Sequence, residues 1–135
     1  MKIAMVINKD IPVGLIANTS AVLGISLSRL FPDIVGEDVL DGDGNAHAGI
    51  TTQNIPVLAA DRKKIKGLRD CLFDAAYEDV SVIDFSEAAQ KCLDYGDYIT
   101  RLGALPADTL YYLGICLYGP KKKVNKLTGN LALLR

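Results

Sequence analysis

The chain contains 135 residues, 50% of them hydrophobic, and its 15 basic and 16 acidic side chains give a formal net charge of -1. This length and composition predict one compact domain over residues 1–135, with a sizeable buried core. The near-neutral charge excludes a general attraction to nucleic acid or anionic lipid, so any such binding must come from a local patch.

The first thirty residues predict a strand, a tight loop and a helix. Residues 3–7 form an unbroken apolar run, which is typical of a strand covered on both faces. Polar residues follow at positions 8–10, and we expect a helix from about Leu15 to Leu30. One row of that helix is apolar, and a second row of small residues is expected to lie close to the sheet. The apolar row is Ile16, Leu23, Leu27 and Leu30, and the small row is Ala17, Ala21, Gly24 and Ser28.

A long irregular connection, residues 31–54, follows the first helix. Residues 41–45 read Asp-Gly-Asp-Gly-Asn, a strong turn signal because Gly and Asn accept positive φ. A structureless connection of this length is unusual inside a compact domain, so we expect it to be functional or to contain short strands.

The remainder predicts further strands that alternate with helices. Strands are expected at residues 55–60, 80–85 and 110–117, with a short last strand at 131–134. Asp61 is expected to cap a second helix whose buried stripe is Ile65, Leu68, Leu72, Phe73 and Ala76. Ser86 is expected to cap a third helix that ends at Gly103 and that Gly96 bends or divides, and residues 124–127 predict one more helical turn.

This order predicts an α/β fold, a three-layer α/β/α sandwich around a mixed sheet of four to five strands. The first two long connections favour parallel crossovers. The short link between the last two strands permits an antiparallel pair.

The three cysteines, Cys71, Cys92 and Cys116, are widely spaced. An odd count without paired spacing is typical of free thiols in a reducing compartment. The N-terminal apolar run is too short for a signal peptide, and no apolar stretch approaches the ~20 residues that span a bilayer. We therefore expect a cytoplasmic protein without a membrane partner, in which Cys71 and Cys116 are small core residues.

Polar residues at strand ends and at the helix start mark the expected site. Ligands of open α/β folds collect at the carboxyl ends of strands, where helix N-termini also point. Lys9 and Asp84 form the best acid–base pair, because Lys can hold a substrate carbonyl while the carboxylate activates water. A surface salt bridge is the alternative for this pair. The expected ligand-binding residues are Asp10, Asn18, Thr19 and His47, with helix capping as the alternative for Asn18 and Thr19.

No metal or cofactor site is predicted. Residues 41–45 resemble the start of a calcium loop, but the Gly and distal Glu that complete such a loop are missing. His47 has no Cys or His near it in the sequence, so it is a poor metal ligand and lies either in an edge loop or along the cleft. Neither a nucleophile elbow nor a standard phosphate-binding glycine loop is present.

The only dense basic cluster consists of Lys121, Lys122, Lys123 and Lys126. Lysines make salt-sensitive phosphate contacts, so Lys121, Lys122 and Lys123 together with Asn125 are a weak candidate phosphate site. A solvated loop is the favoured alternative. Tyr111 and Tyr112 precede the cluster but face opposite ways in a strand, so at most one of them can join it.

Two stretches resemble type II peptidyl-tRNA hydrolases. The opening residues 2–7, followed by Asp10-Ile11 and Val13-Gly14, resemble that family's Lys-led strand, Asp-Leu pair and Met-Gly turn. The end, Gly119-Pro120 followed by residues 124–134, resembles its closing Gly-Pro, Thr-Gly and Leu-rich strand. The fuller match is to an uncharacterised bacterial "domain of unknown function" branch of that superfamily. It is carried by Asp10, by residues 12–14, 17–18, 21–24, 41–45, 49–50, 89–90 and 95–98, and by the long C-terminal stretch.

The resemblance implies a peptidyl-tRNA hydrolase II-like fold, and the departures concern the catalytic residues. The hydrolases follow the turn glycine with a catalytic Lys and later a Gln, whereas Leu15 follows Gly14 here and no Gln corresponds. Their later catalytic Asp matches Asp84 by position only, because Phe85-Ser86-Glu87 stands where they carry Ala-Gly-x-Thr.

Three functions remain open from the sequence. The first is binding of a small polar or nucleotide-like ligand near the end of the first strand, at Lys9, Asn18 and Asp84. The second is hydrolysis of peptidyl-tRNA or a related ester or amide. The third is a non-catalytic interaction module that forms a homodimer. An unknown small molecule is the favoured partner, and RNA is less favoured.

Overall fold

Four strands form a mixed sheet in the order β4-β1-β6-β5 in the computed structural model, which describes residues 1–135. A separate two-stranded hairpin lies outside it. The strands are β1 (Lys2–Asn8), β2 (Val39–Leu40), β3 (Ala46–His47), β4 (Val57–Ala60), β5 (Ser81–Ser86) and β6 (Tyr112–Gly119). The helices are α1 (Val13–Leu30), α2 (Arg62–Cys71), α3 (Glu87–Gln90), α4 (Tyr95–Gly103) and α5 (Lys121–Thr128).

Strand directions place three carboxyl ends at one edge of the sheet. β1 pairs parallel with β4, with Met5 opposite Val57. β6 pairs antiparallel with both β1 and β5, so β1, β4 and β5 run the same way. The expected mixed sheet is confirmed. The last segment does not pair with the preceding strand, however, because Leu133 bridges Leu58 on the outer edge of β4.

Helices cover both faces of the sheet. α2 and α5 cover one face, where 13 buried residues, Ile65, Leu117 and Val124 among them, form the larger core cluster. α1 covers the other face, where seven buried residues, Leu23, Leu27 and Cys116 among them, form the smaller cluster. The long apolar strands β1 and β6 contribute to both clusters, since alternate side chains point to opposite faces.

The small row of α1 lies against the sheet only in part, since Gly24 and Ser28 are half-buried and a Cβ on Gly24 would lie 3.9 Å from Met5 Cε of β1. Ala17 and Ala21 are exposed, and the buried residues are Thr19, Leu23 and Leu27. Turning Leu23 and Leu27 inward buries more apolar surface than turning alanines inward, which decides the rotation of the helix. Leu30 shares this row but is 54% exposed at the last residue of the helix. By length and apolar composition alone α1 could cross a membrane, a test that core helices of soluble proteins also pass.

The third predicted helix is two helices. Ser86 caps α3 as expected by accepting a hydrogen bond from the Ala89 N–H. The chain then breaks, and the Asp94 side chain caps α4 by accepting from the Asp97 N–H. Gly96 lies in the first turn of α4, so the division comes before it.

The connection over residues 31–54 contains the short strands that its length suggested. β2 and β3 pair antiparallel around the Asp-Gly-Asp-Gly-Asn turn, in which Gly44 has a φ of 85°. Asp61 caps α2 as expected, but Phe73, expected in its buried stripe, is 59% exposed and lies 4.0 Å from the Arg69 guanidinium. α5 is also longer than the single turn expected.

Candidate functional site

The structure does not bring Lys9 and Asp84 together. Asp84 lies opposite Ile115, which lies opposite Val6, so Lys9 is two strands across and three residues along from Asp84. At about 4.8 Å per strand and 3.3 Å per residue, that offset is about 14 Å. The Lys9 ammonium instead contacts the neighbouring Asp10 carboxylate at 3.0 Å, and both side chains are more than half exposed.

Asp84 pairs with Arg69 of α2. Nε of Arg69 donates to Oδ2 of Asp84 at 2.7 Å, and both side chains are mostly buried, with 16% and 22% exposed. Desolvation raises the pKa of Tyr98 and Tyr112, and the nearby Asp84 carboxylate raises both further. Asp84 therefore has a fixed guanidinium and two protonated phenols close to it.

A cavity of about 430 Å³ lies beside Asp84, between α1, β5 and the α3–α4 pair. Eight of its 11 lining residues are hydrophobic. Val22 comes from α1, Ile83 and Phe85 from β5, and Leu93 from the α3–α4 connection. The volume lies within the range that small-ligand sites occupy.

The polar lining of this cavity comes from the α3–α4 pair, from β5 and from Ser26 of α1. Rings of Tyr95 and Tyr98 meet edge to face with centroids 5.4 Å apart, and Asp94 and Asp84 add carboxylates. The Cys92 thiol also lines the cavity and donates to the Ala88 carbonyl oxygen. Desolvation raises the pKa of the Cys92 thiol, and the Asp97 carboxylate is the second cause of this increase. The sulfur is therefore a protonated thiol and a weak nucleophile.

The polar residues expected along the first loop and helix lie outside this cavity. Asp10 and Asn18 are exposed, although Val22, one turn beyond Asn18, lines the cavity. Thr19 is fully buried and its hydroxyl donates to the Leu15 carbonyl oxygen at 2.7 Å. A Cβ on Gly114 would lie 2.8 Å from the Thr19 methyl, so Thr19 packs directly on β6.

His47 lies on the exposed hairpin, away from Asp84. Its Nε2 is 2.9 Å from Oδ2 of Asp41, at the other end of the same turn. The His47 contact and backbone N–H donors lower the pKa of Asp41 to about 2. No cluster of His, Cys, Asp or Glu side chains could hold a metal ion.

The basic cluster divides between two environments. Lys123 is tied to the Asp79 carboxylate and the Ala76 carbonyl oxygen, both at 2.7 Å. Lys121, Lys122 and Lys126 make no ion pair, and Oδ1 of Asn125 accepts from Nζ of Lys2 at 2.6 Å. The sequence placed the lysines in one loop, but Lys121 opens a helix.

Sequence reasoning missed Arg69, Tyr95, Tyr98 and Cys92 as site residues. The pattern of Asp94 followed by Asp97 is an N-cap signal that could have divided the long helix and placed the two tyrosines on a separate element. The Arg69–Asp84 pair carries no local signal, because it joins a helix to a strand across the sheet.

Comparisons with known proteins agree with this fold. A family model described as "Protein of unknown function (DUF2000)" matches residues 1–135. No curated protein matches the chain. A solved protein of unknown function from Agrobacterium tumefaciens strain C58 is similar in structure, with a TM-score of 0.87 and 23% identity over 98% of this chain and 96% of that one. At this identity the likeness extends to the fold alone.

Proposed function

Because the chain belongs to the DUF2000 family, whose function is unknown, we propose a function from the geometry of its site. The protein binds a small molecule with an apolar or aromatic body and a hydrogen-bond donor, in the cavity between α1, β5 and the α3–α4 pair. The observation that carries this proposal is the cavity of about 430 Å³, mostly apolar but with Asp84 at its edge. An apolar pocket with a few polar groups and a side chain of shifted pKa, here the Tyr98 phenol, is the usual form of a ligand site.

The charge of the lining decides the polar end of the ligand. Asp84 and Asp94 line the cavity, and no Lys, Arg or His does. Arg69 occupies Oδ2 of Asp84, and no protein donor contacts Oδ1. An amine or hydroxyl on the ligand suits this acidic lining, whereas a carboxylate or phosphate would meet like charge.

A pair of probes that share a phenyl ring tests this function. We expect 2-phenylethylamine to bind saturably and to shift the backbone NMR signals of Ala89, Cys92 and Tyr98. We expect 3-phenylpropionate, which replaces the amine by a carboxylate, to bind at least about tenfold more weakly. Equal binding of both probes, or shifts spread over the whole surface, would contradict the proposal.

Two matched variants locate the binding. Ala89 lines the cavity and its neighbour Ala88 does not. Ala89→Phe should fill the cavity and abolish amine binding, and Ala88→Phe should leave it within about twofold. If Ala88→Phe is equally damaging, the cavity is not the site.

The link to type II peptidyl-tRNA hydrolases belongs to this proposal. It rests on the opening and closing sequence motifs, and we place the chain on a branch without the hydrolytic residues. Leu15 cannot donate the hydrogen bond that the hydrolases' Lys makes, and losing one such donor typically costs on the order of a hundredfold or more in rate. The purified protein should release no peptide from peptidyl-tRNA above background, and rapid release abolished by Asp84→Asn would reverse this view.

Self-association is a second candidate function, favoured by the outer face of α1. Val13 and Ile25 are 82% and 75% exposed, and no charged residue precedes Arg29 in this helix. A second copy can meet this face around a two-fold axis without bringing like charges together. A sedimentation experiment should show a dimer that Ile25→Glu dissociates and that Phe73→Glu, an equally drastic change on the opposite side, leaves intact. A monomer at high concentration would end this candidate.

A further inference from the structure

A second cavity lies at the end of the sheet where β1 begins and β6 ends. Its volume is about 810 Å³, and Lys2, Lys121, Thr52 and Asn54 contribute polar groups to its wall. Ile55 and Pro56 add an apolar part of the wall. None of these residues lines the cavity beside Asp84, so the two sites are separate.

Positive charge in this cavity is uncompensated. The lining contains Lys2 and Lys121 but no Asp or Glu. Neither lysine forms an ion pair, in contrast to Lys123, two residues after Lys121, which pairs with Asp79 at 2.7 Å. Oδ1 of Asn125 accepts from Nζ of Lys2 and so holds this ammonium next to α5 without cancelling its charge.

Lys121 is the first residue of α5, so the start of this helix reaches the same wall. Pro120 occupies the N-cap and makes no side-chain cap, and the first turn has no acidic residue. The first backbone hydrogen bond of the helix runs from the Val124 N–H to the Pro120 carbonyl oxygen. The N–H groups of residues 121–123 therefore have no protein acceptor, and the helix dipole favours an anion beside them.

We propose that this cavity binds a phosphorylated small molecule. The phosphate lies between the ammonium groups of Lys2 and Lys121 and accepts hydrogen bonds from the first turn of α5. The uncharged part of the molecule lies along Thr52, Asn54 and Pro56, where hydroxyl, amide and apolar surfaces meet. A volume of about 810 Å³ accommodates a sugar phosphate or a nucleotide rather than a bare ion.

Ribose 5-phosphate is the test ligand, with ribose and a 12-nucleotide oligouridine as comparisons. We expect ribose 5-phosphate to bind saturably and to shift the backbone amide signals of Lys121, Lys122 and Lys123 in NMR spectra. Ribose should not bind. Tighter binding of the oligouridine with salt-dependent, unsaturated shifts would overturn the proposal in favour of a nucleic-acid surface.

Two variants that each remove one lysine charge distinguish binding in the cavity from binding to the basic surface as a whole. Lys121→Gln should weaken ribose 5-phosphate binding by about tenfold, as expected for one charge-assisted contact. Lys122 follows Lys121 directly in the same helix but does not line the cavity, so Lys122→Gln should change the affinity by less than about twofold. Equal losses in the two variants would overturn the proposal.

A third variant acts on the backbone donors without removing a lysine. Pro120→Asp supplies the missing side-chain cap, and its carboxylate competes for the same N–H groups. We expect it to abolish binding while the thermal transition shows an intact fold. Undiminished binding by a folded Pro120→Asp protein would overturn the role of the helix, and with it the proposed site.

Discussion

On one face of the sheet α2 and α5 bury a cluster of 13 residues, whereas on the other face α1 alone buries seven. The outer surfaces differ as well. The first side carries ion pairs that join separate elements, such as Arg62 with Glu87 and Lys123 with Asp79. The second presents a helix that has no charged residue before Arg29 and whose Val13 and Ile25 are largely exposed. The α2–α5 side therefore has a charged surface with paired ions, whereas the α1 side has an exposed apolar surface.

Truncation of one buried leucine on each side of the sheet should cause the largest losses in unfolding free energy. Leu117 and Leu23 are both 0% exposed, in the larger and the smaller cluster respectively. We expect Leu117→Ala to lower the free energy of unfolding by about 4 kcal/mol and Leu23→Ala by about 3 kcal/mol, because the site in the central strand can collapse less. Urea unfolding measures both, and a larger loss for Leu23→Ala would reverse the assignment of stability to the α2–α5 side.

Gly114 tests how closely α1 approaches the sheet. A Cβ at this position would lie 2.8 Å from the Thr19 methyl and 3.2 Å from the Ile7 side chain. Gly114→Ala should therefore destabilise the protein by about 2 kcal/mol. Thr19→Ser removes the methyl, so adding it to Gly114→Ala should recover about 1 kcal/mol in a double-mutant cycle. Strict additivity would show that the two residues do not touch.

Acid should loosen the α2–α5 side before the α1 side. Lys123 lowers the pKa of Asp79, and Arg62 lowers that of Glu87. A carboxyl group whose pKa is lowered by folding stabilises the protein above its unfolded pKa, and that contribution is lost as pH falls through the lower folded value. Hydrogen exchange below about pH 4 should therefore rise in α5 and α3 before it rises in α1. Lys123→Gln is the control, since it should remove the pH dependence in α5 only.

The smallest effect is expected on the outer surface of α1. Ile25 is 75% exposed, so Ile25→Ser should change the unfolding free energy of the dilute protein by less than about 0.5 kcal/mol. Chemical denaturation at low concentration checks this. A loss above 1 kcal/mol would mean that this face is already covered, and the contrast between the two sides would disappear.

Local signals in the sequence predicted most elements of the fold. The apolar run of β1 and the helical spacing in α1 identified both elements, and the Asp61 and Ser86 caps were predicted and observed. The rotation of α1 was not predicted, since alanines and leucines both recur at helical spacing and only the sheet decides which row is buried.

The candidate site was harder to predict, because its geometry depends on contacts across the fold. Asp84 was selected from its position in a strand, and it does line a cavity. Its partner Arg69 and the opposite wall at Tyr98 come from elements that meet β5 only after folding. A strand-end argument places residues at the same edge of a sheet but does not say how many strands separate them. Lys9 is about 14 Å from Asp84 because β6 lies between β5, which carries Asp84, and β1, which ends directly before Lys9.

The position of β6 has a consequence for the order in which the chain can fold during synthesis. β6 lies between β1 and β5 and is the only strand that pairs with β5. β1, α1, β4 and α2 can therefore associate as the ribosome releases them, but β5 has no strand neighbour until residues 112–119 emerge. A nascent chain that stops at Leu110 exposes the apolar edges of both β1 and β5, the kind of surface that chaperones bind. Completion of the sheet is thus a late and cooperative event that depends on the C-terminal quarter of the chain.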